Sequence, residues 1–532
     1  MSQPRIERAI VSVSDKTGLA ALARGLAARG VELFSTGGTR RHLEGEGLAV
    51  RDVADYTGFP EMMDGRIKTL HPKIHGGILF RRDEAADLAA IESHGILPFD
   101  LVVVNLYPFE ATVARGEVTR AEAIEQIDIG GPSLVRAAAK NHAFVTVATH
   151  PDQYAGILSA IAATGATTLE QRFQLAGAAF AHTARYDASI AGYFARQAGA
   201  PAGPRQAQAT DAPPETWSLE LVRRELLRYG ENPHQRAALY AEPNASGANL
   251  VTAKQLQGKE LSYNNLLDLD SALAIVRTLP GAAAVVIKHN NPCGAASADT
   301  LAVAARRALD GDPQSAFGSV LAFNRSLDLA TAEVLAEPGR FIEAMVAPEF
   351  APDALAILTT RPKWRANVRL MRVGPLEVEP PRWDYRRLAG GMLVQQADIE
   401  ADTEAEWKVV TRRAPTDAEW VDLRFAWALV RHVKSNAVVL AKERTLLGTG
   451  AGQMSRVDSV QIALSKASAG ATGAALGSDA FFPFADSMHA AAKSGVTTVI
   501  QPGGSRNDPE VIAACDEYSM AMVFTGRRHF KH

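Results

Sequence analysis

The chain has 532 residues with a formal net charge of −3, 47% apolar and 22% charged residues. That length is too great for one core and implies about three or four domain-sized units, and the near-neutral balance without a long Lys/Arg run excludes a nucleic-acid footprint. Two cysteines, Cys293 and Cys515, exclude a disulfide framework and suit a reducing cytoplasm, the polar first residues do not read as a signal peptide, and no apolar run approaches the roughly 20 residues that span a bilayer.

In chain order, Arg8–Val13 reads as a short strand, Ser14-Asp15-Lys16-Thr17-Gly18 as a polar loop, and Leu19 to Arg29 as a helix that Ser14 or Asp15 can cap. A second strand, Val31 to Phe34, ends in Ser35-Thr36-Gly37-Gly38-Thr39 before another helix. Open helix amides beside Lys16, and a Gly pair between hydroxyl residues, point to a phosphate site, although such loops are also Gly/Ser-rich for turn reasons alone. Neither loop is a Walker A or Rossmann fingerprint.

Residues 57 to 77 crowd Arg66, Lys68, Thr69, His71, Lys73 and His75 into a Gly/Pro-punctuated stretch. A solvated basic loop is the plain alternative, but interleaved Ile67 and Leu70 imply a segment held down. Strand Leu101–Val104 ends in Asn105-Leu106-Tyr107-Pro108-Phe109, and Asp128-Ile129-Gly130-Gly131 enters a helix from Leu134 to Lys140, where Asp128 can equally be a turn residue. Strand Phe144–Val147 and an Ala-rich helical stretch from 151 to 197 close this series. Residues 198 to 216, rich in Pro, Gly and Ala, read as a linker.

The second part opens on the turn-rich Arg228-Tyr229-Gly230-Glu231-Asn232 and a helix from Asp270 to Thr278. Then Ala283–Ile287 reads as a buried strand that stops in Lys288-His289-Asn290-Asn291-Pro292, with helix expected from Ala295 onward. Lys and His beside two Asn at a strand's carboxyl end form a dense donor and base set at the place where open α/β sheets bind ligands. A helix over 421–434 leads through Ser435-Asn436 into a strand. The run Gly448-Thr449-Gly450-Ala451-Gly452 lacks the third Rossmann glycine, the segment from Ser478 to Ser487 is aromatic-rich, and Gln501-Pro502-Gly503-Gly504-Ser505-Arg506 repeats the Gly-plus-donor theme. A zinc base deaminase needs HxE and PCxxC. Pro292-Cys293 is followed by Ala296 where the second cysteine belongs, so chemistry here rests on Lys288, His289 and the asparagines, without metal.

These motifs, SVSDKTG, STGGT, GRIKTLHP, NLYPF and QIDIGG in the first part and LRYGENPHQ, IKHNNPCG, SAFGS, GAGQMSR and DAFFPF in the second, resemble in order those of the bifunctional purine biosynthesis enzymes that join AICAR transformylase to IMP cyclohydrolase. The resemblance runs from about residue 8 to the chain's end. It implies an α/β protein with a methylglyoxal-synthase-like parallel-sheet domain over 1–200, the linker included near its end, and a domain over 217–532 of two cytidine-deaminase-like subdomains without zinc. It also implies a cytoplasmic homodimer whose transformylase site lies between subunits, with 10-formyltetrahydrofolate as co-substrate and neither nucleic acid nor membrane as partner.

For formyl transfer the implied base is His289, with Lys288 disfavouring imidazolium and stabilising the oxyanion or protonating the leaving nitrogen, and Asn436 orienting the amine. Arg228, Tyr229, Gly318, Glu343, Phe481, Asp486 and Arg528 would contact AICAR or the folate ring, and Arg456, Ser505 and Arg506 the folate side. For cyclisation, Ser14, Asp15, Lys16, Thr36, Gly37, Gly38 and Thr39 would hold phosphate. Lys68 would stabilise the formyl oxyanion with Arg66, Ile67 and Thr69 beside it. Tyr107, Asp128 and Lys140 would handle protons, and Asn105 and Ile129 would meet the base. The phosphate loops alone suit a nucleotide-sensing module as well, in which only the second part catalyses.

Overall fold

The computed structural model describes residues 4–60, 67, 69–115, 118–197, 213, 216, 217, 219–243, 245–377 and 383–532. Arg66, Lys68 and most of the expected linker lie outside them. The chain divides into two compact units, 1–209 and 210–532. Among the described residues no helix is long and apolar enough to cross a membrane.

The first unit is built on five strands: β1 (Arg8–Val13), β2 (Glu32–Ser35), β3 (Val50–Asp52), β4 (Leu101–Asn105) and β5 (Thr146–Ala148). Their order is β3-β2-β1-β4-β5, and every neighbouring pair is parallel. Near-continuous apolar runs such as Leu101–Val104, all fully buried, are what a sheet covered on both faces requires. The chain order reverses beside β1, so the carboxyl ends of β1, β2 and β4 open on one crevice. Buried Arg172, on helix Leu169–Gln197, ties that helix to the β5 approach by donating to the carbonyls of His142, Ala143 and Thr167.

In the second unit, β6 (Val222–Leu227) and β7 (Ala237–Ala241) form a separate ribbon. Next come β8 (Lys254–Gln257), β9 (Ala282–Lys288), β10 (Asn291–Ala298), β11 (Ser319–Phe323), β12 (Ile342–Ala347) and β13 (Arg369–Arg372). A second ribbon pairs β14 (Trp383–Leu388) with β15 (Gly391–Gln396), and then follow β16 (Lys408–Val409), β17 (Val438–Lys442), β18 (Thr445–Gly450), β19 (Ala475–Ser478), β20 (Thr498–Gln501) and β21 (Ala521–Phe524). All but the ribbons join one twelve-stranded sheet, ordered β16-β21-β20-β19-β17-β18-β10-β9-β11-β12-β13-β8.

That order reads the same from either end as a repeated unit: a helix, an antiparallel hairpin, a second helix, then three mutually parallel strands. Helix Tyr263–Thr278 and hairpin β9–β10 in one repeat correspond to helix Asp417–Val430 and hairpin β17–β18 in the other. The repeats meet where β10 pairs with β18 through Ala296 and Thr445, and Ser297 N–H donates to Arg444 O at 2.9 Å.

This corrects the expected helix after Cys293-Gly294. The Lys288–Asn291 segment is a hairpin turn, and the chain returns as β10. His289 and Asn290 take φ of 52° and 61°, the positive values at both central positions that two-residue hairpins with matched twist need. The second repeat does the same at Glu443 and Arg444, with φ of 50° and 55°. Each turn is held from the preceding helix by an aspartate. Asp268 Oδ1 accepts Asn290 N–H at 2.7 Å, and Asp422 accepts Glu443 N–H at 2.9 Å and Arg444 N–H at 2.8 Å. Small residues and a proline in β10 hid the strand period from the sequence.

Each returning strand carries a glycine against a helix. A Cβ on Gly294 would stand 1.9 Å from Ala308 O, and one on Gly450 1.9 Å from Ser459 O. Gly450→Ala is expected to destabilise the second unit by about 2 kcal/mol or more, as helix Arg456–Ala467 is pushed from the sheet. Gly470→Ala, whose Cβ would meet Leu447 at 3.5 Å, should be near neutral. Urea midpoints of the two variants against the parent check this.

Candidate functional site

The first unit opens a cavity of about 590 Å³ at the carboxyl ends of β1, β2 and β4. Lys16, Thr36, Gly38 and Thr39 line one side and Thr69, Tyr107, Asp128, Ile129 and the Gly130–Gly131 helix entry the other, with Ser14 and Asn105 between. Thr36 precedes helix Gly37–Gly45 without a side-chain cap bond, and no acidic residue occupies the first turn. Its first amides therefore face the cavity side as open donors at the positive end of a helix dipole.

Several of the expected ligand residues also hold the scaffold. Asn105 accepts the N–H groups of Ser14 at 2.6 Å and Asp15 at 3.0 Å and donates to Asp15 O at 2.8 Å, so its amide shapes the loop. Thr39 Oγ1 accepts Val13 N–H at 3.2 Å and donates to Val13 O at 3.0 Å, tying the helix to β1. Asp15 caps no helix. It accepts from Thr17 N–H and Oγ1, which lowers its pKa.

Asp128 Oδ1 accepts Gly131 N–H at 2.8 Å, and the Asp128 N–H donates to Tyr186 OH at 2.7 Å. Tyr186 in turn donates to Gln126 O at 3.0 Å, and burial pushes its phenol up to about 12. Tyr186 thus sets the Asp128 backbone, a role that no local motif announced. The two glycines are required by closeness: a Cβ on Gly131 would lie 2.3 Å from Asp128 Oδ2, and one on Gly130 2.7 Å from Thr69 Oγ1. Lys140 is the exposed last residue of helix Gly130–Lys140 and does not line the cavity. Ile67 lies in a turn, its carbonyl accepting Leu70 N–H.

In the second unit the His289 turn lies on the sheet edge that also carries residues 434–436, the 451–456 loop and the chain's last residues. Lys434 N–H donates to Asn291 Oδ1 at 3.2 Å, and Ser435 N–H donates to Lys531 O at 2.9 Å. His289 is exposed at the tip, and its imidazole is within electrostatic reach of Asp268. Burial raises the Asp268 pKa, and the Asn290 N–H opposes that rise. Lys288 Nζ donates to Phe317 O at 3.0 Å and Gly318 O at 3.1 Å. Gly318, at φ 71°, donates its N–H to Phe341 O at 2.7 Å.

Phe341 borders a second cavity of about 250 Å³. Arg228, Tyr229 and Glu343, expected from the sequence, line it together with Lys259 and Arg369, which the sequence did not single out. The Arg228 guanidinium stacks 4.9 Å over the Tyr229 ring. Glu343 accepts from Asn265 Nδ2 at 3.2 Å and pairs with Arg369 at 3.4 Å. Arg369, the first residue of β13, sits in no motif.

Asn436 donates from Nδ2 to Gln453 O at 2.9 Å and Met454 O at 3.2 Å, while Oδ1 accepts Arg456 Nη2 at 2.6 Å. Arg456 is 7% exposed and bonded to Ser478 and Asp479 as well, so it braces Asn436. Phe481, Asp486, Ser505, Arg506 and Arg528 follow the carboxyl ends of the parallel strands β19, β20 and β21, and Phe481, Asp486, Arg506 and Arg528 are exposed. None of them lines the cavity of Arg228 and Tyr229. The Cys293 thiol donates to Val286 O at 3.5 Å and burial pushes it up to about 12, so the thiolate a metal needs is disfavoured.

A model of the AICARFT/IMPCHase bienzyme family matches residues 138–466, and one of the MGS-like domain matches residues 18–133. A curated relative from Rhodopirellula baltica, the bifunctional purine biosynthesis protein PurH, is 60% identical over 528 residues, covering 99% of both chains. Its counterpart from Magnetococcus marinus is 51% identical over 545 residues, covering 99% of this chain and all of the relative. A solved chain described as the crystal structure of ForH is 35% identical, covering 36% of this chain and 100% of that one, with a TM-score of 0.31. With an MGS-like domain ahead of the bienzyme region, the chain belongs to the bifunctional purine biosynthesis family that carries AICAR transformylase and IMP cyclohydrolase activities.

Proposed function

We propose that the two reactions are divided between the two cavities, formyl transfer at the His289 turn and ring closure in the first unit. The observation that carries the first assignment is an exposed imidazole on a carboxylate-held turn, next to a cavity lined by a stacked Arg–Tyr pair. The 5-amino nitrogen of AICAR attacks the formyl carbon of 10-formyltetrahydrofolate. His289 takes the amine proton, the bond to N10 of the folate breaks, and a proton reaches N10, giving formyl-AICAR (FAICAR) and tetrahydrofolate. Lys288, fixed on two carbonyls, keeps one N–H for the oxyanion or for N10. Arg228 and Tyr229 hold the nucleotide, with Glu343 and Gly318 beside them. Phe481, Asp486, Ser505, Arg506 and Arg528 complete the site from the second subunit of a homodimer. Their separation from the Arg228 cavity supports that arrangement.

In the first unit, the open amides of residues 37–39, with Lys16 and Ser14, hold the FAICAR phosphate. Asp128 and Tyr107 face the reacting groups, and Lys68 stabilises the formyl oxyanion. The carboxamide nitrogen attacks the formyl carbon, whose oxygen leaves as water, giving IMP. Closure is intramolecular, so positioning supplies a large part of the rate. The family match supports two catalytic activities over a nucleotide-sensing module or a base deaminase. Soluble substrates and the two free cysteines support a cytoplasmic setting.

His289→Ala is expected to lower formyl transfer by at least about 10³-fold while cyclisation of supplied FAICAR continues at the parent rate. Loss of both would sink the division into two sites. Asp128→Asn keeps the acceptor for Gly131 N–H but removes the charge. It should cut FAICAR cyclisation by about 10²-fold and leave formyl transfer intact, measured on the same preparation.

A further inference from the structure

His529 is a buried titratable group for which the chemistry above has no use. It lies in the segment after β21 and is 1% exposed. Its Nδ1 meets Asp398 Oδ2 at 2.6 Å and its Nε2 meets Asp402 Oδ1 at 3.3 Å. The ring packs edge-on to Trp427, centroids 5.2 Å apart, and Trp427 Nε1 donates to Asp402 Oδ2 at 2.9 Å. Arg431, from the end of helix Asp417–Val430, donates to Asp398 O at 2.9 Å and Asp398 Oδ1 at 3.2 Å, and Arg527 donates to Glu400 at 3.2 Å. The backbone is fixed too, since the His529 N–H donates to Asp479 O at 3.1 Å. Asp479 also holds Arg456 and Ser435.

Only an imidazolium donates from both ring nitrogens. A neutral ring between two carboxylates would face one of them with a lone pair. On either side of this clasp, the neighbouring side chains are exposed: the Arg528 guanidinium stands 4.2 Å over the Phe530 ring, out towards solvent. We infer that His529 is a positioning residue for the transformylase: as an imidazolium bridging Asp398 and Asp402 it pins the terminal segment so that Arg528 is presented to the nucleotide. This deepens the reading of Arg528 as an AICAR contact and rests on it.

The groups facing the imidazole are Asp398 and Asp402 from the 397–404 loop and Arg431 and His432 from the helix end. Burial lowers the imidazole pKa, Arg431 opposes protonation, and the hydrogen bonds to the two aspartates override both, so the net shift is upward. A raised folded-state value means the clasp is complete below the ordinary histidine range near pH 6.5. It weakens as pH rises through the folded value.

The test uses the full-length enzyme with AICAR and 10-formyltetrahydrofolate. His529→Gln should raise the KM for AICAR about tenfold at pH 7, with kcat changed less than about twofold and FAICAR cyclisation unaltered. In the parent, KM should climb as pH is raised from 6 to 9, and in the variant that climb should be absent. A flat parent profile, or a variant with the parent's KM, overturns the inference. Should the variant fold poorly, histidine NMR of the parent decides: a His529 signal titrating at or below the ordinary range overturns it, and one above supports it. Arg528→Ala separates the two levels. An unchanged KM there removes the Arg528 reading itself, whereas a raised KM beside a silent His529→Gln removes only the positioning role.

Discussion

Two aspartates on helices, Asp268 and Asp422, each hold the backbone of a tight turn, and the large sheet depends on both. Each turn places two non-glycine residues in the left-handed region, at about 1–2 kcal/mol per residue. A carboxylate accepting a main-chain N–H contributes about 1.5–3 kcal/mol, enough to offset much of that strain. With the turns fixed, β9 and β10, and β17 and β18, keep their registers, and β10 can meet β18 to fuse two repeats into one sheet. The repeats share this lock but not the residues at the tip: His289-Asn290 in one, Glu443-Arg444 in the other. A turn held by its backbone leaves its side chains free to differ, and only one of the two carries an imidazole.

The two cavities present their donors by different means. In the first unit the donors are main-chain amides at helix starts, shaped by Asn105, Thr39 and the close packing of Gly130 and Gly131. In the second they are long side chains, Arg228, Lys259 and Arg369, set against Glu343. Main-chain donors need glycine and small residues, so they leave a signature in sequence. Side-chain donors drawn from separate strands do not.

That difference explains what the sequence revealed. Four strands of the five-stranded unit were legible, because buried parallel strands read as apolar runs punctuated by Gly/Ser loops, whereas the three-residue β3 and helix Pro72–Leu79, which starts inside the basic stretch, were not. Arg228 and Tyr229, with Glu343 far from them in sequence, line one cavity. The β10 strand was misread as a helix because Pro292, Gly294 and a run of alanines carry no strand period. Asn436 and Arg456 stand in a motif and also hold each other in the loop: a motif marks a residue as constrained without saying whether ligand or loop does the constraining. Asp268, Tyr186 and His529 act through contacts about 20 to 130 residues away in sequence, which no local pattern encodes.

The twelve-stranded order has one more implication, for solubility. A sheet of that width has only two open margins, and a long, flat margin is a template for pairing with other chains. Here one margin is β8, four residues running against its neighbour, and the other is β16, two residues doing the same. Each offers a short, reversed and partly charged row of amides, with Lys254 on one and Lys408 on the other. The pseudo-symmetry that fuses the two repeats thus also closes both ends of the sheet, so a wide sheet presents little to aggregate on.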